Sequence, residues 1–223
     1  MAERPVFLPS SRAPFVDEMT VAFKWHAGLS RAQAQRSIAE LHASAQAVGL
    51  GPLLEISSKG SDPVGIKLSA FNLTFESPDG RRVSVESAYQ GSKTFKNGDH
   101  FPELYRASSR DAKLDERVKG RSDISGFDYY GTPWPAQPMT TFYDWLYLQA
   151  LEQNPGLMHE LTIHSGFTDI AFNPQKSSAC QARCAAMYIG LQRAGLWPQV
   201  LAGKEKFLGA FEQPARVSQG SLF

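Results

Sequence analysis

Four polar side chains recur at steps of three and four within SVESAYQGSKTF, residues 84–95: Glu86, Tyr89, Gln90 and Lys93. On a helix this spacing gathers them on one face, where an amphipathic helix would carry an apolar stripe. A carboxylate beside an amine can serve in acid–base catalysis or hold a charged ligand. The alternative is structural, because Glu86 also suits the positive end of a helix and Lys93 also suits an exposed surface.

A glycine interrupts the same helix. Gly91 costs the helix on the order of 1 kcal/mol relative to alanine. Such a glycine indicates that something approaches the backbone closely, and a ligand is one candidate.

Composition limits the class of protein. The chain has 223 residues, of which 42% are hydrophobic, enough for one compact domain. Its 23 Lys and Arg nearly balance 22 Asp and Glu, so any contact with nucleic acid must be local. No apolar run approaches the roughly 20 residues of a membrane span, and MAERPVFLPSS lacks the order of a signal peptide. We therefore expect a cytoplasmic protein without a membrane partner.

The cysteines and histidines form no metal-binding pattern. Cys180 and Cys184 lie four apart in a helical pattern, without the neighbouring Cys or His that a zinc site needs. The five histidines make no HExxH motif. We expect two small core residues, no metal and no cofactor.

The elements that must position the polar helix follow from periodicity and turn residues. RPVFL and MTVAFKW are strand-like, and Ser30 with Gln33 predicts a helix over residues 30–48. IKLSAFNLTFE, SPDG and RRVSV predict a hairpin directly before the polar helix. SSRDAKLDERVKG predicts a solvated helix that begins at Ser108 or Ser109.

The second half adds an ordered loop and two buried helices. GFDYYGTPWPAQPM predicts the loop, and a largely apolar helix begins near Thr141. Ser178 and Gln181 predict the start of the last clear helix. Helices outnumber short strands without strand–helix alternation, so the fold class is α+β, predominantly helical.

Three stretches together carry a resemblance to a known family: AFNLTFESPDG, SVESAYQGSKTF and FTDIAFNPQKSSACQA. The sequence resembles the NADAR or YbiA-like group, whose motif Val-Glu-x-x-Tyr-Gln-x-x-Lys runs complete from Val85 to Lys93. Over most of its length it is similar to a bacterial branch associated with toxins that ADP-ribosylate guanine in DNA. The resemblance implies a single NADAR domain over residues 30–203, with an N-terminal extension, 1–29, packed on it and a peripheral tail, 204–223.

The resemblance also implies an activity. Family members hydrolyse N-glycosidic bonds, so the first hypothesis is an ADP-ribosyl glycohydrolase that removes ADP-ribose from guanine in DNA, as antitoxin to a partner toxin. One alternative is an N-glycosidase acting on free phosphoribosylated metabolites such as riboflavin intermediates. Another is a non-catalytic module that binds ADP-ribose or a nucleotide.

Three residues are the catalytic candidates. Ribosyl cleavage passes through an oxocarbenium-like state that one carboxylate can stabilise while a second group activates water or protonates the base. We expect Glu86 and Asp169 in these roles, with acid and base unassigned; Asp169 could instead only cap the turn before Asn173. Lys93 could bind a phosphate or ribose hydroxyl or attack C1 of the sugar, and we expect the former.

Five further residues are predicted to bind substrate. Tyr89 and Gln90 share the helix face, and Asn72 matches the family's Asn-aromatic step. Tyr130 and Trp134 could stack on a base, and we favour Trp134 because its flanking prolines restrict the backbone. The family's usual Asp-x-x-Trp-Gly is replaced here by Asp-Ile-Ala-Phe, residues 169–172, which indicates a different pocket shape. The basic run over residues 106–121 could follow a nucleic-acid backbone or be a solvated face.

Overall fold

The computed structural model describes residues 1–175 and 179–212. Within these ranges the chain is a mixed α+β fold with eight α-helices and nine strands. The helices are α1 Arg31–Ala47, α2 Pro63–Lys67, α3 Val85–Ser92, α4 Ser109–Leu114, α5 Thr141–Glu152, α6 Pro155–Leu161, α7 Gln181–Arg193 and α8 Lys204–Glu212. The strands are β1 Ala2–Pro9, β2 Val16–Phe23, β3 Leu53–Glu55, β4 Thr74–Glu76, β5 Arg82–Ser84, β6 Lys93–Phe95, β7 Ile124–Tyr129, β8 Thr132–Pro135 and β9 Gly166–Thr168. None of these helices is both long and apolar enough to cross a membrane.

The strands form three separate sheets, so helix predominates less than expected. The largest sheet has the order β2-β1-β9-β3, with β3 and β9 parallel and the other pairs antiparallel. Glu55 pairs with Thr168 at the carboxyl ends of the two parallel strands. The predicted N-terminal strands are confirmed as β1 and β2, and they are part of this sheet. The division of the chain into domain, extension and tail stays a prediction.

The predicted hairpin is correct only in its second part. Strands β4 and β5 pair around the Pro-Asp-Gly turn, but the predicted first strand, residues 66–76, is strand only from Thr74, and its first two residues are the end of α2. Asp62 begins that helix, since its Oδ1 accepts the Val64 N–H at 2.7 Å and Pro63 takes the first helical position.

The prediction of an ordered loop for GFDYYGTPWP was wrong. The segment is mostly the hairpin of β7 and β8, and Tyr129 pairs with Thr132 across a two-residue turn. Its prolines led to the error, but proline is tolerated on an edge strand, and β8 lies at the edge of the β6-β7-β8 sheet. The hairpin carries Trp134 into the core, where it is 3% exposed.

The core lies among α3, α5, α7 and the sheets. Cys180 and Cys184 are buried free thiols, as predicted, and nine residues of α5 are buried. Phe207 of α8 is fully buried with its ring centroid 6.4 Å from that of Trp134. Ser178, predicted to help cap α7, and residues 213–223 of the predicted tail lie outside the described residues.

Candidate active site

Three of the four polar residues of the motif form one hydrogen-bonded chain, which we call the α3 ladder: Glu86, Gln90 and Lys93. Gln90 Nε2 donates to Glu86 Oε1 at 2.7 Å, and Lys93 Nζ donates to Gln90 Oε1 at 2.7 Å. Glu86 is 4% exposed. Helix α3 ends at Ser92 and Lys93 begins β6, so Lys93 does not lie on the helix as predicted. Its amine nevertheless reaches back to contact Gln90 on the helix.

Helix α4 supplies a partner for the ladder that sequence reasoning did not identify. Lys113 Nζ lies 3.1 Å from Glu86 Oε1, with the lysine about half exposed and the glutamate almost buried. In the sequence Lys113 was only one member of a basic run, and no spacing rule connects it to Glu86. The pair makes Glu86 a carboxylate held between an amide and an ammonium group.

Lys93 has an altered basicity. Burial and, next, the charge of Lys113 lower the pKa of its amine to about 8, against the opposing charge of Glu86. The Nζ also lies 5.1 Å from the centroid of the Tyr89 ring, within the range of a cation–π contact. An amine with this pKa is partly neutral at mildly alkaline pH, when it can act as a nucleophile.

Tyr89 faces the core. It is 8% exposed, and its ring centroid lies 5.3 Å from that of Phe127 and 5.1 Å from that of Tyr143. Burial, with the nearby charges of Glu86 and Asp144, raises the pKa of its hydroxyl. Its contacts are those of a packing residue that supports Lys93.

Glycine at position 91 leaves room for the side chain of Tyr105. A Cβ at this position would lie 2.5 Å from Cδ1 of Tyr105. The close approach inferred from the glycine is therefore that of the Tyr105 ring, whose hydroxyl donates to the Asp128 carbonyl at 2.9 Å.

Asp169 lies just beyond the end of β9 and caps a turn. Its Oδ1 accepts the N–H groups of Ala171 at 3.0 Å and Phe172 at 3.2 Å. Burial and, next, the neighbouring carboxyl of Glu55 together raise its pKa to about 7. The residue thus combines the turn-capping geometry with the proton affinity of an acid that works near neutral pH.

Glu55 is a buried carboxyl group that the sequence analysis missed. It accepts the Thr168 hydroxyl at 2.6 Å and the Ile170 N–H at 2.8 Å, and burial raises its pKa. The parallel pairing of β3 with β9 brings it beside Asp169. Behind them, His42 Nε2 contacts Thr168 Oγ1 at 2.8 Å, and burial lowers the pKa of His42 to about 4.

Gln181 stands between this acidic pair and the α3 ladder. Its side chain opposes part of the rise in the pKa of Asp169, and its Oε1 accepts the Ala70 N–H at 2.7 Å. The Ala70 carbonyl in turn accepts the Glu86 N–H at 3.0 Å. Among the described residues no hydrogen bond or ion pair joins Glu86 directly to Asp169.

The three remaining residues that were predicted to bind substrate lie in different surroundings. Asn72 is exposed, and its Nδ2 donates to the Ile66 carbonyl at 2.8 Å. Tyr130 is partly exposed and stacks on Tyr105. Trp134 packs against the rings of Phe142 and Trp145, which does not favour its predicted stacking on a base.

The pH dependence of stability tests the environment of Asp169. Because its folded pKa of about 7 exceeds the ordinary 3.8, the stability it contributes is complete at low pH and is lost as the pH rises through about 7. Asp169→Asn keeps an oxygen for the turn and removes the titration. We expect the free energy of unfolding of the variant, minus that of wild type, to rise by about 1–3 kcal/mol between pH 4 and 8.

Urea unfolding at several pH values measures this difference. His42→Gln is the control, because the opposite pH dependence is expected for it. The folded pKa of His42 is lowered to about 4, so the stability that His42 contributes is present above about pH 6.5 and is lost as the pH falls. Its variant-minus-wild-type difference should therefore rise toward acid pH. A flat difference for Asp169→Asn would contradict the raised pKa.

A family model described as DarT1-associated NADAR antitoxin matches residues 2–220. No curated protein matches the chain.

Proposed function

The chain belongs to the DarT1-associated NADAR antitoxin family, and from this premise we propose that it is an N-glycosidase that removes ADP-ribose from guanine bases in DNA. NADAR proteins are N-glycosidase-like hydrolases, and the name of the matching family supports an antitoxin role beside a toxin partner. The substrate would be the product of such a toxin, a guanine carrying ADP-ribose.

The α3 ladder is the observation that carries the proposal. A carboxylate that is 4% exposed and held 3.1 Å from Lys113 Nζ and 2.7 Å from Gln90 Nε2 has a defined position. Pre-set charges next to a reacting centre are the largest single contribution in many enzymes. A protein with only a packing role for this helix would gain little from a buried row of polar groups.

The reaction replaces one bond at C1 of the ribose with another. The bond from C1 to the guanine nitrogen breaks, guanine leaves with a proton, and water adds its oxygen to C1. We propose that Glu86 stabilises the positive charge that develops on the ribose ring and accepts the proton of the attacking water. Gln90 and Lys113 hold the carboxylate in that orientation.

Asp169 is the proposed acid. Its pKa of about 7 leaves a substantial protonated fraction at neutral pH, as protonation of the departing guanine requires. Asn72 and Tyr130 are proposed to contact the ribose and a base. Tyr89 would act through Lys93, since its own ring is in the core.

Lys93 is proposed to hold the ADP-ribose through its charge, and Lys93→Arg tests this against attack at C1. If charge is sufficient, Lys93→Arg retains activity within about tenfold while Lys93→Ala loses about 10²-fold or more. If the amine attacks C1, both variants lose activity, and wild-type rates increase as pH rises toward 8. Borohydride during turnover would then trap a protein–sugar adduct, observed as added mass on the intact chain.

The proposed activity is tested by incubating the pure protein with an oligonucleotide that carries ADP-ribosylated guanine. Mass spectrometry should detect free ADP-ribose and the unmodified oligonucleotide. Binding of ADP-ribose without release would instead indicate a non-catalytic module. Neither binding nor release, with turnover of a phosphoribosylated riboflavin intermediate, would indicate the metabolite N-glycosidase.

A further inference from the structure

A groove of about 570 Å³ lies beside the start of α3, where Ser84 and Ser87 are part of its lining, and we call it the arginine groove. One wall is the β4–β5 hairpin and the other is the segment from Tyr105 to Ser109. The residues used below are Phe71, Arg81, Arg82, Arg106, Ser109 and Tyr130. Its volume is within the usual range for a small-molecule site.

The groove is positively charged. Three arginines and one aspartate, Asp79, line it. The Arg106 side chain has no hydrogen bond or ion pair to any residue that the structure describes, and the Arg81 side chain has only a loose pair with Asp79, at 3.8 Å. Two guanidinium groups are therefore available to bind phosphate, which is the ligand that their geometry fits best.

The adjoining cavity has the opposite character. It shares Asp79 and Arg106 with the arginine groove but adds Glu103 and Asp128. A polyanion would be repelled there. The charge distribution therefore favours a path along the β4–β5 hairpin for a negatively charged polymer.

Two aromatic rings border the arginine groove. Phe71 is 36% exposed, and Tyr130 stacks on Tyr105 with ring centroids 4.7 Å apart and planes within 11°. Exposed rings on a basic groove are the usual means of binding unpaired bases.

The backbone at Tyr130 supports this interpretation. Tyr130 has φ of 50° and Gly131 has φ of 82°, as in a two-residue hairpin turn where asparagine or glycine is preferred at the first position. A bulky side chain with positive φ is uncommon and carries a conformational cost. The cost indicates a use for the ring at this turn.

Helix α4 connects the arginine groove with Glu86, the proposed catalytic carboxylate. Ser109 lines the groove, and its hydroxyl donates to the Phe71 carbonyl at 2.7 Å. Four residues later on the same helix face, Lys113 contacts Glu86. A chain in the groove would thus pass within one helical turn of the α3 ladder.

We propose that the arginine groove binds the single-stranded polynucleotide that flanks the modified guanine, with phosphates on Arg81 and Arg106 and a base on Tyr130. This proposal rests on the proposed function and specifies its substrate as a strand with unpaired bases. The basic run predicted from sequence contributes only in part. Arg106 and Lys113 lie along this course, whereas Arg117 and Arg121 are bound by acidic neighbours.

Binding of an unmodified strand tests the groove without catalysis. A labelled single strand of about twelve nucleotides is titrated with wild type and with Arg81→Gln/Arg106→Gln, and fluorescence anisotropy gives Kd at several salt concentrations. We expect about tenfold weaker binding and a slope of log K against log salt that is smaller by about 1.4. The control, Arg12→Gln/Arg36→Gln, removes equal charge from exposed positions elsewhere and should match wild type.

Tyr130→Asn tests the stacking separately. Asparagine suits the turn, so the hairpin is retained while the ring is removed. We expect single-strand binding to weaken by about fivefold or more, with little effect on the weaker binding of a duplex. Equal affinity of both arginine double variants for the strand, or a preference for duplex, would overturn the proposal.

Two substrates distinguish failure of the groove from failure of the proposed function. With ADP-ribosylated guanosine as the short substrate and the modified oligonucleotide as the long one, Arg81→Gln/Arg106→Gln should lower the long-to-short ratio of kcat/KM about tenfold. An unchanged ratio in an active enzyme would reject the groove and leave the glycosidase intact. Hydrolysis of neither substrate by wild type would reject the proposed function, while the anisotropy result would still decide the groove.

Discussion

Replacing Glu86 with glutamine is expected to lower kcat/KM on ADP-ribosylated DNA by about 10²- to 10⁴-fold. The variant keeps the size of the side chain and an oxygen that can accept the Gln90 amide, now at 2.7 Å. It removes the negative charge that the developing cation on the ribose needs, and it leaves Lys113 without its partner. Initial rates of ADP-ribose release, followed by mass spectrometry, measure the effect.

The control for this prediction is Glu116→Gln, which makes the same chemical change at an exposed position after α4. It should match wild type. Glu86→Gln should also retain the wild-type thermal transition within a few degrees, so that loss of activity is separated from unfolding. Activity within fivefold of wild type would remove Glu86 from the mechanism. Unchanged ligand affinity with no turnover by wild type would favour the non-catalytic alternative.

The second large effect is expected on stability. Trp134→Ala should lower the free energy of unfolding by about 3–5 kcal/mol, the usual cost of removing a large aromatic from a core. The Trp134 side chain is 3% exposed, and its ring centroid lies 4.8 Å from that of Trp145 and 5.6 Å from that of Phe142. Urea unfolding with a shared m-value measures the change.

Trp25→Ala is the matched control, because Trp25 is 40% exposed. Its loss should cost less than about 1 kcal/mol. If instead Trp134→Ala leaves stability near wild type and raises KM, the stacking role predicted from sequence would stand and the ring would have to leave the core to meet a base.

Local sequence patterns predicted several elements correctly. Ser30 begins α1, where its Oγ accepts the Gln33 N–H at 3.3 Å, and the apolar pattern near Thr141 is the buried α5. These signals depend on neighbours within one turn, which the sequence contains in full. The errors arose where two local signals compete. The helix that Asp62 and Pro63 begin continues into the predicted strand at Ile66 and Lys67, and Pro133 and Pro135 obscured a hairpin whose edge position tolerates them.

The sequence by itself determined the α3 ladder. Steps of three and four put Glu86 and Gln90 within reach of each other on any helix, and they do form a hydrogen bond. The family motif, its Lys93 and the family of the chain were likewise contained in the linear order of residues.

Only the tertiary structure determined which side chains from other segments contact the functional residues. Lys113 meets Glu86 because α4 packs on α3, and Glu55 meets Thr168, 113 residues away, because β3 and β9 run parallel. The burial of Trp134 and the course of the arginine groove were decided in the same way. The physical reason is that periodicity specifies which side of an element is polar, whereas the partner, its distance and the resulting pKa depend on packing between segments remote in the chain.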